Sequence, residues 1–252
     1  MDIDWGALLR PYLKKESDSL KLRQESEYRA FADFSRLSEE DHVFEFGCRK
    51  GEFLFYIASK IKTGCGVDIS TEDILEAKKN YSERAFRNLQ FLSGQIGSLP
   101  LLADNFSIIL SRFAIHKIYE YDKVFSELMK LSSPGGRLAL KDQIMFGHET
   151  YDVFWNDFGR LLDVGHNQFA SREFLVDRLH SMGLDIMEEI QLTRWVSLKE
   201  LFFLNPRAMS RGSDIQNLLK KQIQSMRFSA DFIKYEMDDL WFRIKYYLIL
   251  GS

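Results

Sequence analysis

With 252 residues and 45% apolar side chains, the chain can build a sizeable core, enough for one α/β domain with additions. A formal net charge of -3 and an isoelectric point near 6.0 provide no basic field, which sets nucleic acid aside as a partner and puts small molecules first. Two cysteines without metal or disulfide spacing, a start (MDIDWGALLRPY) without signal-peptide character, and no run near the ~18 apolar residues of a membrane span indicate a reducing, cytoplasmic protein with no membrane span. The sequence carries no signal for oligomeric state.

Residues 2–37 read as helical. Leu8, Leu9, Tyr12 and Leu13 lie on one side and Leu20, Leu22, Tyr28, Phe31, Phe34 and Leu37 follow, as a packing helix pair or a lid. A polar connector at 38–41 leads into the stretch VFEFGCRKGEFLFYIASK at 43–60. Its apolar start predicts a strand, its glycines a tight turn, and Phe53, Leu54, Ile57, Ala58 and Ile61 one face of a helix. In open α/β sheets a ligand binds beyond the carboxyl end of such a strand, where glycines admit it close to the backbone, so this turn is the candidate site. A second strand ends in Asp68, 21 residues beyond Gly47. A carboxylate there can accept hydrogen bonds from both hydroxyls of a ribose.

Ser70 or Thr71 is placed to cap a helix whose buried face is Ile74, Leu75, Ala77 and Tyr81. Strands are expected at 89–92 and 106–110, a helix at 119–131, and a fifth strand at 137–144 after the turn SPGG. The βα alternation predicts a doubly wound, Rossmann-like sheet of seven mostly parallel strands with the last one antiparallel, plus a helical cap. Residues 145–170 are aromatic and show no strand pattern, and a helix at 172–182 ends at Gly183. Strands at 184–196 and 241–250 read as a hairpin separated by an insertion with helical patterns at Ile215, Leu218, Leu219, Ile223 and Met226. The expected organisation is an N-terminal helical lid (1–41), a cofactor-binding core (42–195), a helical insertion (196–239) and a final core strand (240–252).

Over about residues 40–195 the chain resembles class I S-adenosylmethionine-dependent methyltransferases, of the small-molecule type similar to the quinone-biosynthesis enzymes. The resemblance is carried by EFGCRKG (45–51), Asp68, GQIGSLPLLADNFSII (94–109), SRFAIHKI (111–118) and LSSPGG (131–136), in the family's order. It implies S-adenosyl-L-methionine as cofactor and a small, apolar or aromatic molecule as methyl acceptor. It further implies that Gly47, Cys48 and Gly51 pass close to the methionine part, with Glu45 steadying its amino group. Asp68 is expected to hold the ribose, Ile69 and Ile96 to pack on adenine, and Gln95 to meet its edge. Ser111, Arg112 and His116 fall beside the methionine end. Two departures stand out: Arg49 takes the place of the family's middle glycine, and Gln95 that of an aspartate. Arg49 is expected to keep ordinary dihedrals on the surface.

Methyl transfer from a sulfonium is an in-line displacement that needs alignment and exclusion of water, with a base only when the acceptor must lose a proton. His148, and after it His166, are the expected bases, because both follow strand ends. The glycine spacing does not give the G-x-G-x-x-G of a nicotinamide-linked oxidoreductase. The alternative is a catalytically degenerate methyltransferase-like domain serving as a binding or scaffold partner.

Overall fold

The computed structural model describes residues 17–101, 103–163, 165–224, 231–236 and 239–252. The helix face expected at Leu8, Leu9, Tyr12 and Leu13, and the insertion residue Met226, lie outside them. The first elements are α1 (Ser17–Phe34), β1 (His42–Phe46), α2 (Glu52–Ile57), β2 (Thr63–Asp68), α3 (Thr71–Ser82), β3 (Leu89–Ser93), β4 (Phe106–Arg112), α4 (Tyr121–Leu131) and β5 (Ser132–Gln143). After them come α5 (Glu149–Leu162), α6 (Arg172–Ser181), β6 (Ile186–Ser197), α7 (Leu198–Leu204), α8 (Gly212–Gln224), β7 (Ile233–Glu236) and β8 (Asp239–Gly251).

The strands form one sheet in the order β3-β2-β1-β4-β5-β8-β6, with β7 off this path and antiparallel to β8. Parallel pairing joins β1 to β2 and β4, β2 to β3, and β4 to β5. The order reverses between β1 and β4, so their carboxyl ends flank the crevice where such sheets bind ligands. β4 runs through the middle, and its Ile108, Ile109 and Leu110 are completely buried, as apolar continuity requires of an inner parallel strand.

Two compact units divide the chain. One comprises residues 26–142, 172–191 and 247–252. Its core gathers Phe31 of α1, Val43 of β1, Phe53, Leu54 and Ile57 of α2, Ile108 and Leu110 of β4 and Leu250 of β8. Every residue of the expected face of α2 and the short turn after it is buried here. The other unit comprises residues 1–25, 143–171 and 192–246. It is packed around aromatic rings: Phe154 stacks on Phe158 at 5.7 Å, and Phe158 lies 5.0 Å from Phe242.

One local expectation changes, and one stretch without a strand pattern takes a definite form. β5 begins at Ser132, because Ser132 already pairs with Phe106 before the register shifts and resumes at Ile108 with Arg137. The SPGG sequence is therefore an irregularity inside the strand. The aromatic stretch after β5 is the helix α5, whose Tyr151, Phe154, Trp155, Phe158 and Leu162 are all buried at helical spacing. No helix among the described residues is long and apolar enough to cross a membrane.

Candidate active site

Beyond β1 the chain turns on three left-handed residues in alternation, Gly47 (φ 75), Arg49 (φ 50) and Gly51 (φ 76). Gly47 and Cys48 both donate their N–H to the Val67 carbonyl at 2.8 and 3.1 Å, which ties the turn to the end of β2. A Cβ on Gly47 would sit 2.4 Å from the Ala114 Cβ, and one on Gly51 would sit 2.5 Å from the Phe91 ring. Both positions therefore require glycine on space as well as on dihedral. Arg49 departs from the sequence expectation. It adopts the left-handed conformation itself, and its N–H donates to Asp68 Oδ2 at 2.9 Å. Cys48 is buried; burial above all, then the nearby Glu45 and Asp68, push its thiol above the ordinary range, so it packs as an uncharged side chain.

Asp68 closes β2 with its second oxygen, Oδ1, accepting from Ser70 N at 2.9 Å. Each carboxylate oxygen accepts more than one hydrogen bond, so lone pairs remain for ligand hydroxyls. Ile69 beside it is 72% exposed, an unusual outlay of apolar surface. The 94–98 loop is brought to the same strand end by Gly94 N donating to the Asp68 carbonyl at 3.0 Å. Gln95 is exposed there and Ile96 half-buried.

At the neighbouring ends of β1 and β4 lies a cluster of buried polar atoms without hydrogen-bond partners among the described residues: Glu45 Oε2, Ser111 Oγ and Arg112 Nε. Glu45 is 1% exposed, and its Oε1 stands 3.6 Å from Arg112 Nε, an ion pair too long for a hydrogen bond. The Arg112 guanidinium is layered on the rings of Tyr28 and Phe53, 4.5 Å from each centroid. Burial pushes the Glu45 carboxyl up to about 8, against the opposing pull of Arg112. Buried donors and acceptors left without a partner from the chain itself call for one from outside it, a ligand or an ordered water.

His116 sits in the 3₁₀ turn Ile115–Lys117, just past the Ala114 that meets Gly47. It is clasped by Asp142 near the end of β5. The backbone N–H of His116 donates to Asp142 Oδ2 at 3.1 Å, and ring Nδ1 lies 2.7 Å from Oδ1. Phe113, between Arg112 and this turn, holds φ 55 while its N–H donates to the Lys141 carbonyl at 2.8 Å. A bulky side chain in that conformation marks a backbone held by its surroundings.

The two histidines expected as bases belong to the other unit. His148 is the N-cap of α5: its Nδ1 accepts from Tyr151 N at 3.3 Å, and the ring packs on Phe232. That bond places its proton on Nε2. His166 is buried, with Nε2 3.1 Å from Asn156 Oδ1 and its ring against Phe169 and Gly159. Cap and packing account for both. Sequence reasoning passed over Asp142, Tyr28 and Phe113; for Asp142 the signal was an acid at the carboxyl end of a parallel strand next to His116.

Residues 37–153 match a protein family described as a methyltransferase domain. That stretch is similar to a methyltransferase domain, and the sheet around it has the doubly wound, Rossmann-like order that the sequence predicts. Among its relatives is YcgJ of Bacillus subtilis, an uncharacterized methyltransferase, 28% identical over 132 residues that cover 52% of each chain. The YcgJ crystal structure aligns with 90% of this chain and 97% of its own, at 21% identity and a TM-score of 0.76. The arsenite methyltransferase of Halobacterium salinarum is 26% identical over 114 residues, 44% of this chain and 29% of that protein. The demethylmenaquinone methyltransferase of Lactococcus lactis is 26% identical over 120 residues, 46% of this chain and 46% of that protein. The chain spans about half or less of the length of these curated relatives.

Proposed function

We propose that the protein transfers a methyl group from S-adenosyl-L-methionine to a small molecule. The observation that carries this reading is the orphaned cluster of Glu45, Ser111 and Arg112 beside a turn whose positions 47 and 51 admit only glycine. An amino acid tail needs an acceptor for its ammonium and donors for its carboxylate, and that cluster offers both kinds. Asp68 takes the ribose hydroxyls on its remaining lone pairs, Ile69 and Ile96 pack against adenine, and Gln95 meets its edge. Gln95 suits that place, since an amide supplies a donor and an acceptor where a carboxylate supplies acceptors alone. Cys48 supports the turn from beneath.

The cofactor supplies an electrophilic methyl group; the chain's task is to hold it, orient the acceptor and keep water out. On this reading the expected core, 42–195 with 240–252, is the part that binds the cofactor. The acceptor is apolar or aromatic in the main, and the protein works in the cytoplasm without nucleic acid as substrate.

Calorimetric titration with S-adenosyl-L-methionine tests the reading. The wild type should bind, a nicotinamide dinucleotide should not, and Asp68→Ala should weaken cofactor binding by about 2 kcal/mol, the value of hydrogen bonds to a charged group. A folded Asp68→Ala variant with wild-type affinity would remove the ribose assignment.

A further inference from the structure

On an open parallel sheet a long ligand lies across neighbouring strand ends, and the strand order decides which loop meets which part of it. The orphaned cluster stands at the ends of β1 and β4, and Asp68 ends β2 beside β1. Adjacent strands lie about 4.8 Å apart, so a nucleoside with its tail at β1 and its ribose at β2 carries its base one strand further. The loop after β3 meets that base. Ser93, the last residue of β3, is the register partner of Asp68, which puts Gln95 two residues beyond it.

The backbone of this loop is fixed, whereas the amide it carries is not. Gly94 N donates to the Asp68 carbonyl at 3.0 Å, and the Gln95 carbonyl accepts from Ser98 N at 3.2 Å and from Ser98 Oγ at 2.7 Å. Gly97 holds φ 85, and a Cβ on it would sit 3.1 Å from the Glu127 side chain. The Gln95 side chain is exposed, and no described residue hydrogen-bonds its amide. Ile96 and Leu99 are apolar and the Ser98 hydroxyl is spent on the turn, so the amide is the group left to read a base edge.

An adenine edge presents an amino donor beside a ring nitrogen that accepts, and a hypoxanthine edge presents an oxygen that accepts beside an N–H that donates. Each pattern is the reverse of the other. A carboxamide has one donor end and one acceptor end of nearly equal shape, and half a turn about its last side-chain bond exchanges them. An amide that no other residue orients can therefore meet either edge with two hydrogen bonds. We propose that Gln95 lets the cofactor site take 6-oxopurine as well as 6-aminopurine nucleosides, so that the inosine form of the cofactor binds about as well as the adenosine form. The inference rests on the proposed function and on where that reading lays the base.

Calorimetric titration of the full chain with S-adenosyl-L-homocysteine and with S-inosyl-L-homocysteine, which differ only at the purine edge, tests this. The two dissociation constants of the wild type should agree within about threefold, well under the tenfold that 1.4 kcal/mol represents. Gln95→Ala should weaken both ligands alike, by about tenfold, in keeping with two exposed hydrogen bonds. Because Gln95 is exposed, this variant should unfold at the wild-type temperature. In ¹⁵N-labelled protein the Gln95 side-chain NH₂ signal, identified by its loss in Gln95→Ala, should move on adding either ligand. An inosine ligand bound tenfold or more weakly than the adenosine ligand overturns the proposal. So does a Gln95→Ala protein that loses affinity for only one of the two, which means the amide reads a single base, or for neither, which means it reads none. A wild type that binds no adenosine ligand strikes the proposed function itself and this inference with it, a result distinct from preference for one base.

Discussion

Glu45 concentrates the electrostatics of the candidate site in one carboxyl group. Its proton is held by burial up to about 8, whereas in the unfolded chain it leaves near 4.5. An acid raised in this way binds its proton more tightly in the fold than in the unfolded chain. The unliganded protein therefore loses stability as pH rises from the unfolded value toward the folded one, and the loss ends above about 8. Urea unfolding at about pH 5.5 and about pH 8 should show that decline in the wild type and a clear reduction of it in Glu45→Gln, which has no proton to lose. Cofactor binding adds a second expectation at the same atom. A bound ammonium favours the carboxylate, so calorimetry near neutral pH in buffers of different ionisation enthalpy should report proton release on binding. A wild type whose unfolding is flat across this range, or whose binding enthalpy ignores the buffer, would contradict the assignment.

The turn between β1 and α2 shows how far an element can be read from its letters. The strand, the glycine positions and the helix face were legible, because apolar spacing and glycine encode them directly. Asp68 was legible too, since the βα rhythm fixes where the second strand ends. Arg49 was not. An arginine in the left-handed region costs about 1 kcal/mol relative to glycine, and only the geometry shows that the cost is accepted where its N–H bonds to Asp68. Arg49→Gly should consequently raise stability by up to about 1 kcal/mol in denaturant while leaving the bond to Asp68 intact. Arg49→Ala, which removes the same charge but keeps a Cβ, should give no such gain; equal stabilisation by both would point to the charge and not to the backbone. The same limit explains the histidines. Sequence position put His148, then His166, forward as bases and His116 beside the cofactor, and only their hydrogen-bond partners distinguish a cap from a carboxylate-held ring. The aromatic run that forms α5 shows no strand pattern, and Tyr151, Phe154, Trp155, Phe158 and Leu162 carry its helical spacing.

At the scale of the molecule, charge is sorted between the two ends of the parallel strands. At the carboxyl ends of β1 and β4, Glu45, Ser111 and Arg112 leave polar atoms without partners. At the amino ends the bonding is saturated around Asp41, which is 4% exposed. Arg137, at the resumed register of β5, donates from Nη2 to both Asp41 oxygens at 2.8 and 2.9 Å, and from Nη1 to the carbonyls of Ser35 and Arg36 that close α1. Ser107, at the start of β4, donates to Asp41 Oδ1 at 2.7 Å and accepts from His42 N, while Ser38 N donates to Oδ2. One carboxylate thus joins the end of α1 to three neighbouring strands. Burial is the largest single influence on it and raises its pKa, yet the hydrogen bonds from Ser107, Arg137 and Ser38 and the guanidinium charge together outweigh burial and hold it below the ordinary 3.8. For a depressed acid the stabilisation is present above the unfolded pKa and is lost as pH falls through the folded one. Breaking one member of such a buried pair strands the other, at a cost of about 3 kcal/mol. Asp41→Asn should therefore lose stability of that order at neutral pH and should show a shallower decline than the wild type on acidification below about pH 4. It should also bind cofactor with unchanged affinity once folded, since its bonds are all at the far ends of the strands from the glycine turn. Weakened binding in a folded Asp41→Asn protein would mean that the two ends of the sheet are not independent.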